Sequence, residues 1–140
     1  MVFSLRKIQM KSTSYTVIFK PFTKRHFIKS FEKKYRGIWD ITLGVITEEF
    51  ERIDLLFLKN TAKTIVDSKE IKICKTEFKI AGTKESRHSS GNRCIIAIHK
   101  NTCTVNVLVV YHKNDLAGND ETTSWKNLVK ENYPDYSNIP

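Results

Sequence analysis

Four residues suited to proton transfer and phosphate binding lie at the predicted end of one β-sheet. Arg93 opens an apolar run, whereas Tyr111, His112 and Lys113 close the next one. Adjacent antiparallel strands reverse direction, so the start of the first run and the end of the second lie side by side. An imidazole has an ordinary pKa of about 6.5. Beside two cations and a phenol, it can accept or donate a proton during a reaction at a phosphate group. The simpler alternative is a strand-end histidine in solvent.

A polar loop precedes Arg93 and adds further cations. Residues 81–93 include Lys84, Arg87, His88 and two glycines. Guanidinium groups bind phosphate oxygens in pairs, lysine supplies a movable charge, and exposed backbone N–H groups also bind anions. The loop is therefore a candidate phosphate-binding segment, and the alternative is an ordinary solvated hairpin loop.

The chemistry that fits these residue types is cleavage of an RNA phosphodiester. The neighbouring 2′-OH must lose a proton, the phosphoryl oxygens gain charge, and the 5′-oxygen leaves with a proton. Cations stabilise the charge on the phosphoryl oxygens, and histidine, tyrosine or glutamate can carry out the two proton transfers. Glu77 is a possible base, although a solvent-facing strand glutamate is the simpler reading. This route uses no metal and no cofactor, and the sequence has no H-E-x-x-H, P-loop or G-x-S-x-G motif.

Charge and composition indicate a basic domain that binds polyanions. The 140-residue chain has 24 Lys and Arg against 15 Asp and Glu, a formal net charge of +9, which attracts nucleic acid or acidic proteins. The alternative is a set of solvated lysine faces without a specific partner. Three cysteines without C-x-x-C spacing indicate reduced thiols buried in strands. We expect a cytoplasmic protein without a signal peptide or membrane span.

The elements that position these residues follow from apolar periodicity. Tyr15 to Phe19 alternates as a strand, and helical spacing predicts one helix over 24–36 and another from Asp40 to Phe57. Residues 60–70 are expected to be a connection. Three strands follow, with a bulge in the first, and then a helix that contains Trp125. The predicted ranges of these later elements are 71–80, 93–99, 104–111 and 121–132.

This order predicts a single α+β domain. We expect an N-terminal extension over 1–14, the domain over 15–133 and a C-terminal tail over 134–140. Trp39 and Trp125 are expected in the core.

One segment resembles the RelE/ParE superfamily of bacterial toxins. The resemblance rests on Ser89-Ser90-Gly91-Asn92-Arg93, the apolar strand that follows, and the strand ending at His112. It implies a RelE-like fold of order β-α-α-β-β-β-α, with the first strand and a helical hairpin packed on an antiparallel sheet. In the RelE branch it further implies a ribosome-dependent mRNA endonuclease that uses the 2′-OH as nucleophile, with a cognate antitoxin as partner.

The resemblance also implies roles for individual residues. Arg93 matches the family arginine that contacts phosphate, and His112 falls where some members carry a catalytic histidine, with Lys113 as a neighbouring cation. Lys84 and Arg87 fall where the family places loop cations.

Two alternatives belong to other functional classes. A ParE-like protein poisons a topoisomerase without cleaving RNA, and a protein-binding module would act through its basic surface alone. An inactive relative is a further alternative, because the second arginine expected after the last strand is missing. The sequence leaves the oligomeric state open.

Overall fold

The computed structural model describes residues 14–59, 62–116 and 120–139. Nearly all of the predicted N-terminal extension thus lies outside the described residues. The strands are β1 Thr16–Phe19, β2 Ala62–Asp67, β3 Ile71–Phe78, β4 Asn92–His99 and β5 Thr104–His112. The α-helices are α1 Pro21–Thr23, α2 Lys29–Lys34, α3 Trp39–Glu51, α4 Ile53–Leu58, α5 Arg87–Ser90 and α6 Glu121–Asn132. A π-helical turn, Lys24–Ile28, joins α1 to α2, and a 3₁₀ turn, Pro134–Tyr136, follows α6.

The strands form one five-stranded mixed sheet in the order β1-β5-β4-β3-β2. β1 pairs parallel with β5, and the other neighbours pair antiparallel. β1 covers β5 only as far as Val107. Just beyond, the Thr23 hydroxyl lies 2.8 Å from the carbonyl oxygen of Val107 and 2.9 Å from that of Leu108, so α1 docks against the strand edge where β1 ends.

Two hydrophobic cores lie on opposite faces of the sheet. The first contains Trp39 and Phe50 of α3 packed against alternate residues of β3, β4 and β5. The second contains Trp125 and Val129 of α6, packed against the other face together with Tyr136. Burial of both faces accounts for the nearly continuous apolar sequence of β4 and β5, and the prediction that both tryptophans are core residues is confirmed.

The α+β class is confirmed, and the strand count needs a correction. Residues 60–70, predicted as a connection, contain β2, which extends the sheet by one edge strand. Only one side of an edge strand is paired, and the burial of β2 alternates weakly, so its sequence lacks strong apolar periodicity. The sheet is mixed rather than wholly antiparallel, because β1 runs parallel to β5.

Three local expectations also change. The β3–β4 register is continuous, and the irregularity at β3 lies on its β2 side, between Thr64 and Val66. The predicted helix from Asp40 to Phe57 is broken at Arg52, whose φ of −118° and ψ of 47° leave the helical region. The predicted tail packs inward, since Tyr136 and Ile139 are buried.

Two further observations concern the cysteines and the helices. Cys74 and Cys94 are buried in strands as free thiols, whereas Cys103 lies in the turn before β5. Burial raises the pKa of the Cys74 thiol to about 11. Within the described ranges, no helix has the length and apolarity needed to cross a membrane.

Candidate active site

Three polar residues form a row across the centre of the sheet. Glu77 of β3 pairs with Arg93 of β4, and Arg93 pairs with Tyr111 of β5. Cross-strand partners share one face of a sheet, so the carboxylate, guanidinium and phenol are neighbours on the face that α6 covers. The prediction that the start of β4 lies beside the end of β5 is confirmed by this register.

The short helix α5 brings a histidine to this row. The Ser86 and Ser89 side chains each bond the other residue's backbone N–H and form a capping box. At the other end, the Ser90 hydroxyl lies 2.6 Å from the carbonyl oxygen of Phe78, the last residue of β3. Gly91, with φ +79°, then turns the chain into β4. These contacts fix α5 against the end of β3.

His88 of α5 contacts Glu77 directly. Its Nδ1 lies 2.7 Å from Oε2 of Glu77. A carboxylate only accepts hydrogen bonds, so Nδ1 donates, and the neutral ring then keeps a free lone pair on Nε2. The His88 side chain is 82% exposed. A carboxylate that orients an accessible imidazole in this way is the usual arrangement of a general base.

Arg93 lies beneath this pair. Its side chain is 4% exposed, and Nη2 is 3.5 Å from the same Glu77 Oε2. Nη1 donates to the carbonyl oxygen of Asn92 at 3.0 Å, and Nη2 donates to that of His88 at 3.1 Å. The resemblance predicts that Arg93 contacts phosphate directly. In this structure, the guanidinium is buried and bonded within the protein, so its charge could reach a bound anion only through space.

Tyr111 is held by the first residue of α6. Its hydroxyl donates to Oε2 of Glu121 at 2.6 Å, and Lys75 Nζ lies 3.1 Å from the same oxygen. Burial raises the pKa of Tyr111, and the Glu121 carboxylate raises it further. Burial opposes the charge of Glu121, but the bonds from Tyr111 and Lys75 outweigh it and lower the pKa of that carboxyl. Tyr111 is therefore a neutral donor tied to Glu121.

We expect Glu121→Gln to lower the free energy of unfolding by about 1 to 2 kcal/mol, because it weakens two charge-assisted hydrogen bonds. A carboxyl whose pKa is lowered by folding stabilises the protein above its unfolded pKa. That stabilisation is lost as pH falls through the folded value. The gap between wild type and variant, measured by urea unfolding, should be full above about pH 5 and shrink in more acidic solution. Glu131→Gln, an exposed change on the same helix, is the control, and a gap independent of pH would contradict the assignment.

His112 and Lys113 follow Tyr111 where β5 ends. His112 follows Tyr111 and therefore points to the other face of the strand. Its ring packs on the turn, because a Cβ built on Gly91 would lie 2.6 Å from His112 Nε2. Its Nδ1 accepts from the N–H of Asn114 at 3.1 Å. The ring borders a cavity of about 560 Å³ beside the π-helical turn and α6, which Tyr111 of the row also lines. Lys113 is exposed, and its N–H donates to the carbonyl oxygen of Gly91 at 2.8 Å.

The loop cations separate into two groups. Lys84 is exposed and available to an anion. Arg87 pairs with Glu49 of α3, and its Nη1 donates to the carbonyl oxygen of Glu77 at 2.8 Å. The side chain of Arg87 therefore joins the helical layer to β3, which is a structural contact that the sequence does not reveal.

Sequence reasoning missed three residues of this site. Lys75 shares the alternation of Glu77 along β3, and this shared face was the available signal. Glu121 and Glu49 had no such signal, because apolar periodicity does not show that their helices bring them to Tyr111 and to Arg87. Searches of family models, of curated proteins and of solved structures found no match to this chain, so the assignment of the site rests on its own geometry.

Proposed function

We propose that the protein is a RelE-like endoribonuclease that cleaves mRNA with the RNA 2′-OH as nucleophile. In the cell it would act on the ribosome as the toxin of a toxin-antitoxin pair. The observation that carries the proposal is the contact of the exposed His88 imidazole with Glu77, directly beside the buried charge of Arg93.

His88 is the general base in this proposal. Nε2 takes the proton of the 2′-OH while Glu77 holds Nδ1 and stabilises the imidazolium that forms. Glu77 thus positions the base, a different role from the direct base suggested by sequence. The 2′-oxygen forms a bond to phosphorus as the bond from phosphorus to the 5′-oxygen breaks.

Cations at the same end of the sheet stabilise the phosphoryl charge and protonate the leaving oxygen. Arg93 and Lys84 stabilise the charge that develops on the phosphoryl oxygens. The ammonium group of Lys113 gives a proton to the departing 5′-oxygen. The products are a 2′,3′-cyclic phosphate and a 5′-hydroxyl, with one proton gained by His88 and one lost by Lys113, so solvent exchange restores both groups.

The net charge of +9 supports RNA as the substrate, because cationic surfaces bind the phosphate backbone without sequence preference. The RelE-like resemblance around Gly91 and Arg93 supports the ribosome as the place of action and a cognate antitoxin as the inhibitor. A cytoplasmic location belongs to the same proposal.

We expect His88→Ala to slow mRNA cleavage by about 10² to 10⁴, the usual contribution of a general base. The assay incubates purified protein with translating ribosomes and follows mRNA length and the chemistry of the new ends. His26→Ala is the matched control, since this exposed histidine stacks on Phe22 in the π-helical turn, outside β3 and α5. Glu77→Gln should give a smaller loss with an altered pH profile, because it removes only the orienting charge.

Two outcomes would count against different parts of the proposal. Intact mRNA at stoichiometric wild-type protein would contradict endonuclease activity. Cleavage by wild type and by His88→Ala at equal rates would keep the activity but remove His88 from the role of base.

A second candidate is a non-enzymatic ParE-like toxin or protein-binding module. It is favoured by the burial of Arg93 and Tyr111, which are 3% and 2% exposed and bonded within the protein. In that case, cells expressing His88→Ala would be poisoned as strongly as cells expressing wild type, and extracted mRNA would stay intact.

A further inference from the structure

The short helix α5 contacts elements on both faces of the sheet. Its second residue, His88, contacts the Glu77 carboxylate on the face that α6 covers. Its first residue, Arg87, pairs with Glu49 of α3, and α3 packs on the opposite face. Successive residues of a helix point about 100° apart, so neighbouring side chains of α5 reach opposite sides. α5 thus links the helical layer to the histidine of the candidate site.

Arg87 is also bonded to the residue that holds His88. Its Nη1 donates to the backbone carbonyl oxygen of Glu77 at 2.8 Å, while the Glu77 carboxylate accepts from His88 Nδ1 at 2.7 Å. Because His88 follows Arg87 in the chain, these two bonds close a ring of contacts through Glu77. A change in the position of Arg87 therefore changes how His88 meets the carboxylate.

Side-chain contacts at both ends hold α5 in place. A helix of four residues is too short to be stable by itself. The Ser90 hydroxyl lies 2.6 Å from the carbonyl oxygen of Phe78 and holds the last residue, and the Arg87 side chain holds the first. The ion pair with Glu49 is partly shielded from solvent, since 31% and 25% of the two side chains are exposed. His88 lies between these two fixed points.

A second contact attaches α3 to the same segment of chain. The Thr42 hydroxyl accepts a hydrogen bond from the backbone N–H of Ala81 at 2.9 Å and lies 3.1 Å from the carbonyl oxygen of Ile38. Thr42 is 1% exposed, so water does not compete for these bonds. Helix α3 therefore holds the chain both where it leaves β3 and where α5 begins.

We propose that Glu49 and Arg87 are positioning residues for His88. The ion pair fixes α5 so that Nδ1 of His88 stays on the Glu77 carboxylate and Nε2 stays free to take a proton. In its effect on cleavage, this inference rests on the proposed function. The orientation and the tautomer of His88 are independent of that function.

Direct phosphate binding by Arg87 is the alternative that the sequence suggested. The two roles predict opposite effects of Glu49→Gln. In the alternative, removal of the carboxylate frees the guanidinium, and RNA binds more tightly and is cut at least as fast. In the positioning role, the same change releases α5 and slows the proton transfer, although no cation is lost.

The tautomer of His88 tests the contact without any RNA. Ring nitrogen chemical shifts, measured by NMR on the full chain at about pH 8, where an ordinary imidazole is neutral, show which nitrogen carries the proton. We expect Nδ1–H in the wild type and a shift toward Nε2–H in Glu49→Gln and in Arg87→Lys. Glu77→Ala, which lacks the carboxylate, gives the reference for a released ring. Glu48→Gln changes an exposed acid of α3 and is the matched control, which should keep the wild-type tautomer.

Cleavage kinetics test the consequence for the reaction. Glu49→Gln should lower kcat by about 10-fold to 100-fold, because a misplacement of about 1 Å costs up to about 10² in rate. KM should change less than about twofold, because no RNA contact is removed. Arg87→Lys should behave in the same way, since lysine keeps the charge but lacks the planar fork that reaches two acceptors. The double variant should lose no more than either single change, because both act through one contact.

The proposal is overturned if Glu49→Gln retains the wild-type tautomer, if it cuts RNA as fast as the wild type, or if Glu48→Gln gives the same losses. A wild-type His88 that carries its proton on Nε2 also overturns it. If the wild-type protein leaves mRNA intact, the endoribonuclease proposal fails, and the tautomer alone decides this one. Circular dichroism confirms that each variant is folded, and if Glu49→Gln does not fold, Arg87→Lys provides the same two measurements.

Discussion

Replacing Gly91 with alanine is expected to lower the free energy of unfolding by about 2 to 3 kcal/mol and to abolish RNA cleavage. Gly91 has φ +79°, a conformation that costs an L-residue about 1 to 2 kcal/mol. The new Cβ would also lie 2.6 Å from His112 Nε2 and force that ring to move. The same turn carries α5, so the displacement would separate His88 from Glu77. Urea unfolding and the ribosome cleavage assay measure the two effects.

Other glycines allow the two causes to be separated. Gly37 and Gly82 also have positive φ but no atom within 4 Å of an added Cβ, so their alanine variants should show the conformational cost alone. Gly44 lies in α3 with open space around it. Changing Gly44 to alanine should raise the free energy of unfolding by about 1 kcal/mol. In a His112→Ala background, Gly91→Ala should cost no more than Gly82→Ala. An equal cost in both backgrounds would exclude the contact with His112.

Replacing Arg93 with alanine is expected to cost about 3 to 5 kcal/mol of stability, the usual effect of removing one partner of a buried ion pair, because the guanidinium is buried, pairs with Glu77 and donates two hydrogen bonds. The change removes the guanidinium donor from two backbone carbonyl groups, those of Asn92 and His88. The His88 carbonyl then retains only the longer bond from the N–H of Gly91, at 3.4 Å. The change also leaves Glu77 without its buried counter-charge. RNA cleavage should fall below detection, because His88 is bonded to both Arg93 and Glu77.

The conservative change Arg93→Lys distinguishes charge from geometry. Lysine retains the positive charge but lacks the planar fork that reaches both carbonyls and the carboxylate, so it should recover less than half of the lost stability. Arg36→Ala removes an exposed arginine and should cost less than about 0.5 kcal/mol. If Arg93→Lys is as stable as the wild type, the positive charge alone accounts for the contribution of Arg93 to stability.

The fold was predictable where a segment packs on both sides or has one clear apolar stripe. β4 and β5 are buried on both faces, and Trp39 and Trp125 mark the inward sides of α3 and α6, so these elements are visible in the sequence. β2 has one free edge and few buried residues, and the break at Arg52 depends on how α4 meets the sheet. The parallel pairing of β1 is fixed by tertiary contacts between residues 16–19 and 104–107.

The candidate site was predictable to the extent that strand direction determines it. Direction alone places Arg93 beside Tyr111. Alternation along a strand, applied to Tyr111 and His112, puts the two side chains on opposite faces, and the structure shows that His112 packs on Gly91. The pairing of His88 with Glu77 depends on α5, a helix of four residues that local periodicity cannot detect.

The parallel pairing of β1 with β5 has a consequence for synthesis on the ribosome. Residues 16–19 have β5 as their strand partner, and that partner is made almost ninety residues later, at 104–107. Closing such a long loop is slow relative to forming local helices and hairpins. During translation, β1 cannot pair with β5 until β5 has left the exit tunnel. The row of Glu77, Arg93 and Tyr111 is also incomplete until then, because Tyr111 belongs to β5. The order of translation therefore delays assembly of the site until the sheet itself can close.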